Sequence, residues 1–171
     1  MIFLIILSFL LMQRLAELYI ARKNERWMLE KGAIIYGQEH YPYMILLHMS
    51  FFLFLIGEVF VSKQEVSRFW PILLVIFILL QFARYWVIFT LGKCWNTKII
   101  VLPNGPLIGE GPFRYVKHPN YLIVSLELLV VPLLFEAYIT TILFFFLNQW
   151  MLSIRIRIEE KALQQNLVIN K

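Results

Sequence analysis

Four long stretches of this chain are nearly free of charge, and the charged residues gather between them. A bilayer core about 30 Å thick needs roughly 20 apolar residues of helix to cross it, so these stretches predict membrane-spanning helices. The first runs from Met1 to about Ile20, without charge to Met12 and then broken only by Arg14 and Glu17. At i,i+3 those two share one helix face and can pair. The stretch lacks a basic leader and a small-residue cleavage site, and so reads as a retained span rather than a signal peptide. The second runs from about Tyr43 to Val61, and the third from about Trp70 to Leu91, with Trp70 and Trp86 suited to interfacial belts.

The last apolar stretch, Tyr121 to Ile154, has Pro132 and the pair Glu136-Ala137 near its middle. It is too short for two full spans and a loop, and predicts a hairpin of two short or tilted helices, about 121–135 and 137–154. The expected fold is therefore all-α: a polytopic integral membrane protein of about five helices, the last two a hairpin beside a cytoplasmic site. It reads as a single membrane domain over 1–171. Residues 1–91 hold three spans with an amphipathic segment at about 21–40, able to lie on lipid or cover the site; 92–171 hold the long loop, hairpin and tail.

Charge sets the expected orientation. Arg22, Lys23, Arg26 and Lys31 follow the first span; Lys93, Lys98, Arg114 and Lys117 lie in the loop 92–120; Arg155, Arg157, Lys161 and Lys171 lie in the tail. The connection 62–69 has only Lys63 and Arg68, and the hairpin tip has no basic residue. By the positive-inside rule the N-terminus faces out and the three basic segments face the cytoplasm.

Composition agrees: 60% of the residues are hydrophobic and 16% charged, unlike a soluble domain. All 11 acidic residues are Glu, which excludes a paired-Asp metal or phosphoryl-transfer site. The lone Cys94 cannot form an internal disulfide, and no Cys/His cluster has metal-ligand spacing. No metal is expected.

Two clusters carry candidate chemistry. The loop 92–120 holds Pro103, Pro106, Pro112 and Pro119 with Gly92, Gly105, Gly109 and Gly111, and Asn104-Gly105 and Gly111-Pro112 mark turns. Pro119 suits the first turn of the next helix, which places His118 beside a helix N-terminus at the membrane surface, among Arg114, Tyr115, Lys117, Asn120 and Tyr121. The second cluster is Arg155-Ile156-Arg157-Ile158-Glu159-Glu160, where the last helix leaves the membrane. The hairpin should return Ile154 to the level of Tyr121, so the two clusters should meet. Each has a plain structural reading as well: a basic loop touching headgroups, and ion pairs Arg155/Glu159 and Arg157/Glu160 on a helix end.

These residues resemble a known family. Gly111-Pro112-Phe113-Arg114-Tyr115-Val116-Lys117-His118-Pro119-Asn120-Tyr121 is similar to the arginine-histidine-proline-x-tyrosine motif of isoprenylcysteine carboxyl methyltransferases. Arg155-Ile156-x-x-Glu159-Glu160 resembles their C-terminal motif, again one hairpin later, and the chain looks like a short bacterial member. Lys117 departs from the family's usual Arg and lacks its bidentate fork. The resemblance implies S-adenosylmethionine (SAM) as methyl donor on the cytoplasmic side. His118, Pro119, Tyr121, Glu159 and Glu160, with Arg114 and Lys117, would form its pocket, and Arg155 would face the cofactor carboxylate or the acceptor's oxyanion. The implied acceptor is a lipophilic molecule methylated on a carboxylate or acidic hydroxyl, such as a prenylcysteine or an alkylpyrone-type lipid. The implied partners are that acceptor and membrane lipids, with no nucleic acid.

Glu127, inside the fourth helix, reads as a substrate-side residue or as a carboxyl that is protonated or bonded to Asn148 or Gln149; Trp150, as a pocket wall or an interfacial anchor. Glu58 reads as interfacial, His48 as a packing histidine, and His40-Tyr41-Pro42 as a helix start. Two other functions compete: a lipid or steroid reductase using NADPH, and a small transporter or scaffold using Arg14, Glu17 and Glu127.

Overall fold

The computed structural model of the protein describes residues 2–61, 66–103, 105 and 108–169, with backbone alone at 166–169. Asn104 and Pro106 of the expected loop turns, and the charges Lys63 and Lys171, lie outside the described residues.

Five helices form: α1 (Ile2–Glu30), α2 (Tyr41–Val61), α3 (Trp70–Leu91), α4 (Pro119–Leu133) and α5 (Tyr138–Ile169). α1, α2, α3 and α5 are long and apolar enough to cross a bilayer. α4 has 15 residues, about 22 Å of helix, which is shorter than the hydrocarbon core. Leu53, Phe82 and Phe89 are 69%, 70% and 78% exposed, a disposition that suits an apolar solvent. The protein is an all-α integral membrane protein. Its helices separate into two compact units, one of 1–38, 91–107 and 157–171, the other of 39–90 and 108–156; α5 contributes to both.

In the first unit, α1 continues well past the expected end of its span. Its Arg14 pairs with Glu17 at 2.7 Å, the i,i+3 contact expected. Near its C-terminus Asn24 donates to the carbonyls of Gly92 and Trp95, while Asn96 returns a bond to Ala21 O at 3.0 Å. These bonds fix the course of the segment expected to be amphipathic at about 21–40. It is the last turns of α1 followed by a strand, β1 (Ile34–Tyr36), which pairs antiparallel with β2 (Ile99–Val101). Ile99 and Val101 pack on Ala162 of α5, with Tyr36, Ile158 and Leu163 around them. Where a tail was expected, α5 remains helical, because Ile158 and Ala162, at i,i+4, give its end an apolar face to bury.

In the second unit, α4 and α5 form the hairpin. Pro132 sits in the last turn of α4, and Glu136 turns the chain at φ 53°, the left-handed region that single turn residues adopt. Glu58 of α2 caps the returning helix: its carboxylate accepts from the amides of Ile139 (3.0 Å) and Thr140 (2.7 Å) and from Thr140 Oγ1. A carboxylate there satisfies amides that have no partner within the helix and meets the positive end of the helix dipole. Ser67 N also donates to Leu134 O at 3.0 Å, so the hairpin tip lies level with the end of α2 and the start of α3.

Candidate functional site

At the other end of this second unit stand the motif residues. Pro119 opens α4, and the carbonyl of His118 accepts the amides of Tyr121 (3.2 Å) and Leu122 (3.3 Å). The turn fixes both rings on one side, and the imidazole of His118 stacks on Tyr121 with centroids 5.4 Å apart and planes 15° from parallel. Across the hairpin, Arg155 of α5 is 4% exposed. Its Nε donates to the Tyr121 hydroxyl at 2.8 Å, and its guanidinium carbon lies 5.5 Å from the centre of that ring. The expected meeting of the two clusters is thus present between Arg155 and Tyr121.

The hairpin is zipped one turn deeper by a serine. Ser125 Oγ bonds Tyr121 O at 2.9 Å and accepts Asn148 Nδ2 and Gln149 Nε2, both at 3.0 Å. Asn148 and Arg155 are seven residues, two turns, apart on one face of α5, just as Tyr121 and Ser125 are one turn apart on α4. The same face therefore closes the hairpin and presents the guanidinium.

Sequence reasoning missed a contribution from α2. Arg155 Nη1 donates to Met44 Sδ at 2.9 Å, and Met44 N in turn donates to the carbonyl of His40 at 3.3 Å. His40 precedes α2 by one residue, one turn before Met44, and lies near enough to Arg155 for its ring to feel that cation. Its pKa lies below the ordinary histidine value, mainly through burial and secondarily through the nearby Arg155 cation, with Glu39 opposing both. Its side-chain Nδ1 is buried without a hydrogen-bond partner among the described residues, as is Asn120 Oδ1 at the start of α4. The signal available in the sequence was His40 itself, a titratable side chain at the membrane surface.

The lowered pKa has a sign. The unfolded chain protonates at His40 more readily than the fold does, so its contribution to stability is whole above about pH 6.5 and is lost as pH falls through the folded-state value. The thermal midpoint of the wild type is expected to fall more steeply between pH 7 and 5 than that of His40→Asn, measured in the same detergent.

Arg114 and Lys117 are exposed on the loop; Glu159 and Glu160 are half-buried on α5 within the first unit. Trp150 is 66% exposed, the disposition of an interfacial anchor. Glu127 is buried, but its partners come from α3: Oε1 accepts Gln81 Nε2 at 3.0 Å and Arg84 Nε at 2.9 Å, and Oε2 accepts Arg84 Nη2. The pairing expected with Asn148 or Gln149 does not form, because Glu127 lies about 200° around α4 from Ser125, the residue that faces α5. His48 bonds the carbonyl of Met44 at 2.8 Å, in the packing role expected of it. Among the described residues no group of three or more His, Cys or Glu is placed to hold a metal.

The loop before His118 is held closely against α3. Gly111 has φ +58°, and a Cβ there would stand 2.7 Å from Thr90 Oγ1 and 3.2 Å from Trp86 Nε1. Gly111→Ala combines a strained backbone with overpacking, and is expected to cost about 1–3 kcal/mol, read as a lowered unfolding midpoint in detergent.

Residues 72–165 match the model of the isoprenylcysteine carboxyl methyltransferase family. The chain is 45% identical over 163 residues to the uncharacterized protein YpbQ of Bacillus subtilis, covering 95% of this chain and 97% of that one. It is 29% identical over 151 residues to an uncharacterized protein of Haemophilus influenzae, covering 88% of each. No solved structure matches the chain.

Proposed function

Since the chain belongs to the isoprenylcysteine carboxyl methyltransferase family and is a membrane methyltransferase, we propose that it takes its methyl group from SAM and transfers it to an oxygen of a lipophilic acceptor. The observation that carries this reading is the buried Arg155, held by Tyr121 while Tyr121 stacks on His118, because it unites the two motifs at one place. The donor set fits SAM. The stacked rings offer a surface to a flat base or a sulfonium, and the buried Asn120 Oδ1 is an acceptor for an amino group. Arg114, Lys117, Pro119, Glu159 and Glu160 are proposed as further cofactor-side residues, by their positions in the family motifs.

SAM supplies an electrophilic methyl on a positive sulfur. Transfer is then an in-line displacement, in which orientation and charge placement do most of the work. Arg155 faces the acceptor oxygen and holds it as an anion. Tyr121 fixes the guanidinium, and Met44 receives its second N–H, so the cation is already in place when the acceptor arrives. A carboxylate or an acidic enol is already ionised near neutral pH, and the reaction needs no strong base. The active site faces the cytoplasm, where SAM is available, with the N-terminus outside; the loop and tail charges support this orientation.

Isothermal titration of the detergent-purified protein tests the reading, with NADPH as control ligand. Saturable SAM binding is expected, weakened tenfold or more in His118→Ala. NADPH binding without SAM binding would overturn it in favour of a reductase, and binding of neither would favour a transporter or scaffold.

A further inference from the structure

We propose that His40 is an acceptor-binding residue of this site, its Nδ1–H donating a hydrogen bond to the same anionic lipid oxygen that Arg155 holds. The inference rests on the methyl-transfer reading above and adds a residue from outside both motifs.

Three observations converge on it. First, His40 is fixed in place: its carbonyl accepts the amide of Met44, and Met44 Sδ accepts Arg155 Nη1, so the start of α2 is tied to the guanidinium. Second, Nδ1 is buried yet has no hydrogen-bond partner among the described residues. Buried polar atoms of native proteins are nearly always paired, and one left open beside a reactive cation calls for a ligand. Third, burial and the nearby Arg155 favour the neutral form of the ring, which has one N–H to donate without adding a second cation to the site. An anionic oxygen placed between a guanidinium and a neutral imidazole N–H receives two convergent donors, and these fix its lone pair along one line, as an in-line displacement requires. One donor would set the distance of the oxygen; two set its direction.

The test uses the full-length protein with S-adenosylhomocysteine bound, so that no turnover intervenes. The probes are N-acetyl-S-farnesylcysteine, a lipid carboxylate, and a long-chain 4-hydroxy-2-pyrone, a lipid enol. His40→Phe is expected to weaken binding of the accepted probe tenfold or more with SAM affinity unchanged. His40→Asn places an amide N–H near the position of Nδ1 and should restore affinity to within threefold of wild type. The His40 Nδ1 resonance of 15N-labelled wild-type protein should also shift on addition of that probe, a readout independent of whether His40→Phe folds. Unchanged probe affinity in His40→Phe, an unmoved resonance, or a wild type that binds SAM but neither probe overturns this inference alone. A wild type that binds no SAM overturns the methyltransferase reading as well.

Discussion

Glu127→Ala is expected to lower the stability of the protein in detergent by about 3–5 kcal/mol. Glu127 and Arg84 are 3% and 1% exposed, in the middle of helices α4 and α3. Their charges are worth placing there only as a pair. Taking either out of water costs several kcal/mol, which their attraction and the added Gln81 bond offset. Removing the carboxylate strands the guanidinium in an apolar layer. Arg84→Met should be similarly harmful, whereas the double variant Arg84→Met with Glu127→Leu should recover most of the loss, because no lone charge remains. Unfolding titrations of the three variants check this. A substrate-side role for Glu127 gives a different pattern: Glu127→Gln would raise the acceptor KM with little change in stability.

That pair also shows where the sequence could be read and where it could not. The hairpin was legible because Pro132 and Glu136 interrupt a long apolar stretch, and its motif residues because Pro119 starts a helix that leaves His118 and Tyr121 one turn apart. The third span looked unremarkable because a single arginine and a glutamine in 22 residues barely change its hydropathy. Yet Gln81 and Arg84 are i,i+3 neighbours on the buried face of α3, a placement that already calls for a carboxylate opposite. Which carboxylate was a question of tertiary packing, as was the pairing of Glu58 with the start of α5. Strands β1 and β2 are three residues each, too short for a period of two to stand out, and they pair across more than 60 residues of chain. His40 was readable as a helix start but not as a neighbour of Arg155, because no local pattern says which helix ends meet.

The largest expected effect on activity belongs to Arg155. Arg155→Ala should lower kcat by about a hundred- to a thousandfold, the range seen when one preorganised charge-stabilising donor is removed, while the affinity for SAM changes little. If SAM affinity falls in parallel instead, the guanidinium faces the cofactor carboxylate. Arg155→Lys should not rescue turnover. The guanidinium donates Nε to Tyr121 at 2.8 Å and Nη1 to Met44 at 2.9 Å, two donors fixed in one plane. An ammonium has no such plane, and its donors rotate. Tyr121→Phe tests the same point from the other side, since it keeps the ring, and with it the stack on His118, but removes the hydroxyl that accepts Nε. A hydrogen bond to a charged group contributes about 1.5–3 kcal/mol, so a loss of about ten- to a hundredfold in kcat is expected if the bond matters mainly in the transition state. Tyr121→Phe and Arg155→Ala together should then cost little more than Arg155→Ala alone, because once the guanidinium is gone the hydroxyl has nothing left to orient.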